Sequence, residues 1–179
     1  MPEVAFEVDV DSPPDEQPTA NPFNRWHPDI PAVVEADLGE TMRLEALDWT
    51  GGQISDDDSA NDIRDVDLNQ VHYLAGPVHV NGAEPGDLLK VEFLDMGPLN
   101  NRSEFGFTGT FSQKNGGGFL TDHFPKAAKS IWDVDGYKVA SRHIPDVEYE
   151  GKIHPGLAGC APSEELTRRV EHARTGTHR

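Results

Sequence analysis

The sequence predicts a mainly β protein, an antiparallel sandwich or barrel-like fold with one short helix close to its C-terminal end. Three features indicate this: short segments of alternating apolar and polar residues, glycine- and proline-rich turns between them, and a single clear helical pattern. Alternation with period two turns one face of a strand to the core and the other to solvent. Short strands separated by turns are typical of antiparallel sheets.

The predicted strands lie in the middle of the chain. The alternating segments are 42–46, 89–93 and 105–108, together with Val78-His79-Val80. Turn sequences separate them, namely Asn81-Gly82, Pro85-Gly86 and Asp135-Gly136. Residues 121–131 are interpreted as a segment that holds a short helix.

A helix is predicted at about 163–174. Ser163 is a suitable N-cap, two glutamates follow it, and arginines occupy the later turns. This order complements the helix dipole, and Thr175-Gly176 ends the pattern.

The 179-residue length suits one domain. Residues 1–20 are rich in proline and acidic residues and predict a flexible lead-in. Residues 21–162 are expected to form the folded body, and 163–179 the helix and a tail.

The charge balance excludes several functions. Asp and Glu number 32 against 15 Lys and Arg, a formal net charge of -17, which disfavours nucleic-acid binding. No apolar run reaches the length of a membrane span, and the N-terminal residues lack a basic signal region. A lone cysteine, Cys160, fits a reducing cytoplasm. The acidity suggests a halophilic protein, with an acidic mesophile as the alternative.

Several familiar catalytic motifs are absent from the sequence. It contains no G-x-S-x-G, H-E-x-x-H or C-x-x-C pattern, and Asn115-Gly116-Gly117-Gly118 lacks the lysine of a P-loop. Cys160 could act as a nucleophile, but a buried structural cysteine is the favoured interpretation. Two glycine-containing loops, 47–53 and 82–87, present carboxylates at strand ends, where the alternative role is turn capping.

Seven strings then carry a family resemblance, in order and without a large gap from about Asn21 to Ser163: NRWHPDIP, LDWTGGQI, DSANDIRDVDLNQVHYLAGPV, NGAEPGDLL, SQKNGGGFLTDHFPKAAKSIWD, SRHIP and IHPGLAGCAPS. The chain thereby resembles the formamidase/acetamidase family of amide hydrolases. The string from His72 to Pro77 is closer to the formamidase branch. The resemblance implies a mostly β fold and hydrolysis of a small amide, formamide or acetamide, to a carboxylate and ammonia.

Members of that family are considerably longer than this chain. Their later part carries Gly-Asp-Leu-His and Gly-Asp-Gly-Glu strings, which this sequence lacks. The resemblance therefore implies a truncated or split form, whose partner is a C-terminal half or a second copy of the chain. The alternative is a non-catalytic β domain that binds a small ligand or a partner chain.

Within the resemblance, Asp48, Glu84 and His72 are the expected catalytic residues. The expected substrate-binding residues are Trp49, Gln53, His123 and His154. Carboxylates and histidines would also suit a divalent metal ion such as zinc, whose ligands stay unassigned.

We expect the fold to become more stable as salt rises, because screening weakens repulsion among the acidic side chains. Thermal unfolding midpoints should increase from low to molar KCl. Midpoints that stay level or fall would contradict a halophilic origin.

Overall fold

The computed structural model describes residues 2–12, 16–17, 23–97, 99, 105–152 and 154–175, with the backbone alone for 173–175. The chain divides into two compact units. The first unit comprises Met1–Gly51, Gln70–Glu92 and Gly156–Arg179, and the second comprises Gly52–Asn69 and Phe93–Pro155. Within the described residues, no helix combines the length and the apolarity needed to cross a membrane.

The first unit holds two parallel strand pairs and the longer helix. The elements are β1 (Val4–Phe6), β2 (Val34–Ala36), β3 (Arg43–Leu44), β4 (Val78–Val80) and α2 (Glu164–Thr175). Strand β1 pairs with β3, and β2 pairs with β4. Buried apolar side chains form the core of this unit: Phe6, Val8, Val34, Ala36 and Tyr73.

A buried carboxylate ties the start of the chain to the region of β3. Glu45 is only 4% exposed. It accepts a hydrogen bond from the Val8 backbone N–H at 3.2 Å and another from Arg43 Nη2 at 2.7 Å. A buried charge requires such partners, so Glu45 fixes the position of the segment that follows β1.

The second unit is built on a four-stranded antiparallel sheet. Its strands are β5 (Phe105–Thr110), β6 (Ala128–Asp135), β7 (Lys138–Ser141) and β8 (Glu148–Glu150), hydrogen-bonded in that order. A short helix, α1 (Asn61–Asp65), precedes the sheet in sequence.

Helix α1 packs its apolar side chain against this sheet. Ile63 is buried, and a Cβ atom at Gly109 would lie 2.6 Å from Ile63 Cδ1. The absence of a side chain at Gly109 therefore lets the helix approach β5 closely. Ile131, on the neighbouring strand β6, is fully buried.

Lys129 anchors the acidic segment before α1 to strand β6. Its side chain is fully buried. Its ammonium donates hydrogen bonds to Ser55 O at 3.0 Å, Asp57 Oδ1 at 2.9 Å and Asp62 Oδ2 at 2.7 Å. Burial opposes the charge of Lys129, but the bonds to Asp62 and Asp57 outweigh it and raise the pKa above the ordinary lysine value.

Arg142 holds the same acidic segment, and the imidazole of His143 lies beside it. Arg142 binds Asp133 Oδ1 through Nε at 2.7 Å and Asp56 Oδ1 through Nη1 at 2.6 Å. The hydrogen bond from Arg142 holds the pKa of Asp133 below its usual value. His143 Nε2 lies 3.4 Å from Asp58 Oδ1. The run of aspartates is thus fastened to the sheet at several points.

The structure confirms the mainly β fold class and the C-terminal helix. Helix α2 covers 164–175, and the Ser163 hydroxyl accepts a hydrogen bond from the Leu166 N–H at 3.2 Å, as expected for an N-cap. The large sheet is antiparallel, whereas both strand pairs of the first unit are parallel.

Other sequence-based expectations differ from the structure. No helix forms at 121–131, because residues from Ala128 onward pair with β5 and this sheet pairing outweighs local helix propensity. The alternating segment 89–93 forms no strand. The predicted strand at 42–46 is reduced to β3.

The predicted lead-in, residues 1–20, contains the strand β1 and the fully buried Phe6. Of these residues, 1, 13–15 and 18–20 lie outside the described part of the chain. The predicted boundaries at residues 20 and 162 stay predictions.

Substitution Lys129→Met should destabilise the protein by about 2 kcal/mol, because it leaves carboxylates without their shared cation. Lys138→Met is the matched control, since Lys138 pairs with Glu148 in solvent and its loss should cost less than about 0.5 kcal/mol. Urea unfolding at low salt measures both. Equal effects of the two substitutions would contradict the anchoring role of Lys129.

Candidate active site

The loop after β3 holds Asp48 in a defined orientation. Its Oδ1 accepts hydrogen bonds from the Thr50 backbone N–H at 2.8 Å and from Thr50 Oγ1 at 2.6 Å. Thr50 is fully buried, and the Gly51 N–H donates to Asp48 O at 2.9 Å. Gly51 adopts φ 73°, which favours glycine at this turn. Asp48 itself is exposed, so its carboxylate is fixed and remains accessible.

Two predicted site residues are in direct contact next to Asp48. The ring centroids of Trp49 and His72 lie 5.4 Å apart with an interplanar angle of 45°. The backbone supports this contact, because the Tyr73 N–H donates to Trp49 O at 3.2 Å. Tilted ring pairs at this separation are favourable. The structure therefore brings together Asp48, Trp49 and His72.

The stretch that carries His72 is anchored to an earlier part of the chain. Asn24 Nδ2 donates to Val71 O at 3.2 Å, and the Leu74 N–H donates to Phe23 O at the same distance. Parts of three strings found in the sequence therefore meet within the first unit: the start of the string at Asn24, the start of the string at Leu47, and the end of the string that runs from Asp58 to Val78.

A fourth string reaches the same unit through Gly159. A Cβ atom at this position would lie 3.0 Å from Cζ2 of Trp26, so the indole packs closely over the glycine backbone. The adjacent Cys160 is exposed, contrary to the favoured interpretation of a buried structural cysteine.

Tyr73 is a polar residue of this region that is not among the expected site residues. Its side chain is almost completely buried, and its hydroxyl has no hydrogen-bond partner within the described part of the chain. Burial raises the pKa of Tyr73, so the hydroxyl stays protonated as a potential donor. A buried hydroxyl without a hydrogen-bond partner destabilises the fold, so a functional role is a reasonable explanation for it. In the sequence, the position of Tyr73 directly after His72 was the feature that could have indicated such a role.

Glu84 lies in the turn that follows β4. Its backbone N–H donates to Asp87 Oδ2 at 2.9 Å, and the Asp87 N–H donates to Glu84 O at 3.0 Å. Asp87 therefore caps the turn, and Glu84 contributes only its backbone to this cap. The Glu84 side chain is exposed in the first unit.

The remaining predicted residues belong to the second unit. Gln53 uses both ends of its amide to bridge Asp67, accepting from its N–H at 2.8 Å and donating to its carbonyl at 3.3 Å. These bonds give Gln53 a structural role. His123 and His154 are exposed. The structure thus describes Gln53, His123 and His154 in a different unit from Asp48, Trp49, His72 and Glu84.

The expected divalent metal ion, such as zinc, stays a prediction. Among the residues that the structure describes, no three His, Cys, Asp or Glu side chains are arranged to hold a metal ion. We therefore assign no metal ligand and derive no catalytic step through a metal.

Comparison with known proteins identifies the family. The model of the Acetamidase/Formamidase family matches residues 7–177. The chain belongs to this family. It is 57% identical to a formamidase of Methylophilus methylotrophus over 89% of its length, and 51% identical to an acetamidase of Mycolicibacterium smegmatis over 93%.

A solved structure shares the fold. The gamma lactamase from Delftia acidovorans superimposes on 97% of this chain with a TM-score of 0.89 and 52% sequence identity. The chain covers 39% of the formamidase, 42% of the acetamidase and 42% of the lactamase chain. It therefore spans about two fifths of the length of these relatives.

Substitution Thr50→Val should lower the free energy of unfolding by about 1 kcal/mol, because it removes the hydroxyl that binds Asp48 while keeping the buried volume. The control Thr110→Val changes an exposed threonine of β5 and should have an effect within about 0.5 kcal/mol. Chemical denaturation provides both values. A neutral Thr50→Val would show that the hydroxyl does not support the loop.

Proposed function

We propose that this chain forms part of an amide hydrolase, and that the loop bearing Asp48 belongs to its active site. The observation that carries the proposal is the joint position of Asp48, Trp49 and His72, built from sequence strings shared with a family of formamidases and acetamidases. The substrate is a small amide, which water cleaves to a carboxylate and ammonia.

Amide hydrolysis sets three chemical demands. Water must be activated, negative charge on the carbonyl oxygen must be stabilised, and the leaving nitrogen must be protonated. Asp48 is accessible and held by Thr50, and it is our candidate for the general base. Glu84 is a second candidate carboxylate, exposed in the same unit.

His72 and its neighbours would bind the substrate and form hydrogen bonds with its carbonyl oxygen and its nitrogen. The Trp49 ring restricts the imidazole of His72 from one side. His72 is our candidate for polarising the carbonyl or for protonating the leaving nitrogen as the C–N bond breaks. The buried Tyr73 hydroxyl is a further potential donor. The proposed substrate contacts of His123, His154 and Gln53 stay predictions. The two hydrogen bonds of Gln53 to Asp67 fix the position of its amide and use one of its two N–H donors.

The proposed enzyme works with the remainder of the family fold. More than half of each relative's length lies outside the region that this chain matches. We propose that the missing catalytic groups come from that remainder, in the same polypeptide or in a second chain. The exposed thiol of Cys160 is consistent with a cytoplasmic location, where thiols stay reduced.

A second candidate function is a non-catalytic β domain that binds a small ligand or a partner chain. The limited share of the relatives' length supports it. Ligand binding by this chain without turnover in any combination with the remainder would favour this second candidate.

The substrate range can be tested with three amides. Formamide and acetamide follow from the names of the relatives, and 2-pyrrolidinone represents the cyclic amides suggested by the name of the lactamase. We expect formamide to be hydrolysed fastest, since the string from His72 to Pro77 resembles the formamidase branch. The carboxylate formed is the common measurement, because 2-pyrrolidinone opens to an amino acid and releases no ammonia.

We expect little activity from this chain alone and a clear gain when it is combined with a defined probe. The probe is the part of the M. methylotrophus formamidase that lies outside the region matched by this chain. In the combined enzyme, Asp48→Asn and Glu84→Gln should each lower the turnover of formamide by roughly 100-fold, because each removes a general acid or base.

Asp87→Asn is the matched control, because Asp87 caps the turn of Glu84 and has no proposed catalytic role. Its turnover should stay within roughly threefold of the unsubstituted enzyme. Full activity of this chain without the probe would contradict the proposal that the remainder of the family fold supplies catalytic groups. Full activity of both variants would remove Asp48 and Glu84 from the mechanism.

A further inference from the structure

A closed loop in the second unit, which we call the 113–125 loop, has an unusual surface. Its ends are joined, because the Gln113 N–H donates to Pro125 O at 2.9 Å. Asn115 Nδ2 anchors the loop by donating to Val66 O at 3.2 Å. Both bonds fix the base of the loop to the body of the unit.

The interior of the loop is also fixed by hydrogen bonds. Thr121 Oγ1 accepts from the Gly118 N–H at 2.5 Å and donates to Gly118 O at 2.7 Å. The Phe124 N–H donates to Leu120 O at 2.8 Å. A Cβ atom at Gly117 would lie 2.2 Å from Thr121 Oγ1, so only glycine allows this compact path. The loop is therefore preorganised.

This ordered loop exposes large apolar side chains. Phe119 is fully exposed, and Leu120 and Phe124 are exposed by 59% and 60%. Apolar side chains held by a rigid loop are typical of interaction sites, because ordering costs little on binding and an aromatic anchor contributes a large contact area.

We propose that the 113–125 loop is a docking surface for the part of the family fold that lies outside the region matched by this chain. Phe119 is the central anchor. The inference rests on the proposed function insofar as this chain works together with that remainder. The loop lies within the matched residues 7–177, and the longer relatives contain additional polypeptide that can cover it.

Net charge argues against the other occupants. Two copies of a chain with a formal net charge of -17 repel each other, and so do this chain and an anionic membrane.

The test uses a thiol placed at the anchor. In a Cys160→Ser background, Phe119→Cys is reacted with a maleimide, first in this chain alone and then with the M. methylotrophus probe co-expressed or fused to it. We expect rapid labelling alone and labelling at least roughly 10-fold slower with the probe. Tyr137→Cys, at an exposed aromatic position of the same unit, should react equally fast in both cases.

A binding measurement supports the labelling result without any cysteine. Phe119→Ser should weaken binding of the probe by roughly 10-fold or more, and Tyr137→Ser should change it by less than about threefold. Circular dichroism of each variant verifies its folding.

Unchanged labelling of Phe119→Cys with a bound probe would overturn the proposal. Protection that grows with the concentration of this chain alone would assign the loop to self-association, and protection by lipid vesicles would assign it to a membrane; both would also overturn it. Protection by the probe without hydrolysis of any amide would leave the docking surface intact while the proposed function fails.

Discussion

This protein has 15 basic side chains for 32 acidic ones, and the ion pairs that two of these cations form hold the acidic segment of the second unit on its sheet. Lys129 and Arg142 both bind the acidic segment that precedes α1. Without them, adjacent aspartates would repel each other and the segment would have no reason to lie on the sheet. By holding this segment, Lys129 and Arg142 stabilise the position of α1, whose Ile63 packs against the neighbouring strands.

The same constraint explains why acidity and order coexist here. Asp57 and Asp133 have lowered pKa values because basic side chains bind them, so both stay ionised in the folded protein well below neutral pH. In the first unit, Arg43 has the same effect on packing, since it partners the buried Glu45. In both units, basic side chains bind carboxylates at points where one segment of the backbone is fixed to another.

Local sequence patterns predicted those elements that local physics controls. The cap, acidic first turn and later arginines of α2 are contained within a few residues, and the predicted helix is confirmed. The start of strand β6 was not predicted, because a local pattern near Ala128 favours a helix. In the structure, pairing with β5, which is distant in sequence, overrides that local propensity. The alternating segment 89–93 carries a strand pattern, but alternation cannot reveal whether a neighbouring strand is available.

In the candidate site, too, local sequence predicted some features, whereas contacts between distant residues determine others. Carboxylates in glycine-containing loops directed attention to Asp48, yet the bond from Thr50 Oγ1 depends on a turn geometry that spacing does not reveal. The contact between Trp49 and His72 joins residues far apart in sequence. The hydrogen bonds that join Gln53 to the backbone of Asp67 likewise depend on a chain path that the sequence does not reveal.

The packing of Trp26 over Gly159 has a consequence for biosynthesis. The first unit is discontinuous in sequence, and this contact joins residues from its first and last segments. On the ribosome, Trp26 emerges long before Gly159, so its final environment does not exist while the intervening chain is being made. Closing so long a loop is entropically costly and slows folding. The contact between Trp26 and Gly159, which completes the first unit, can therefore form only after Gly159 has left the ribosome.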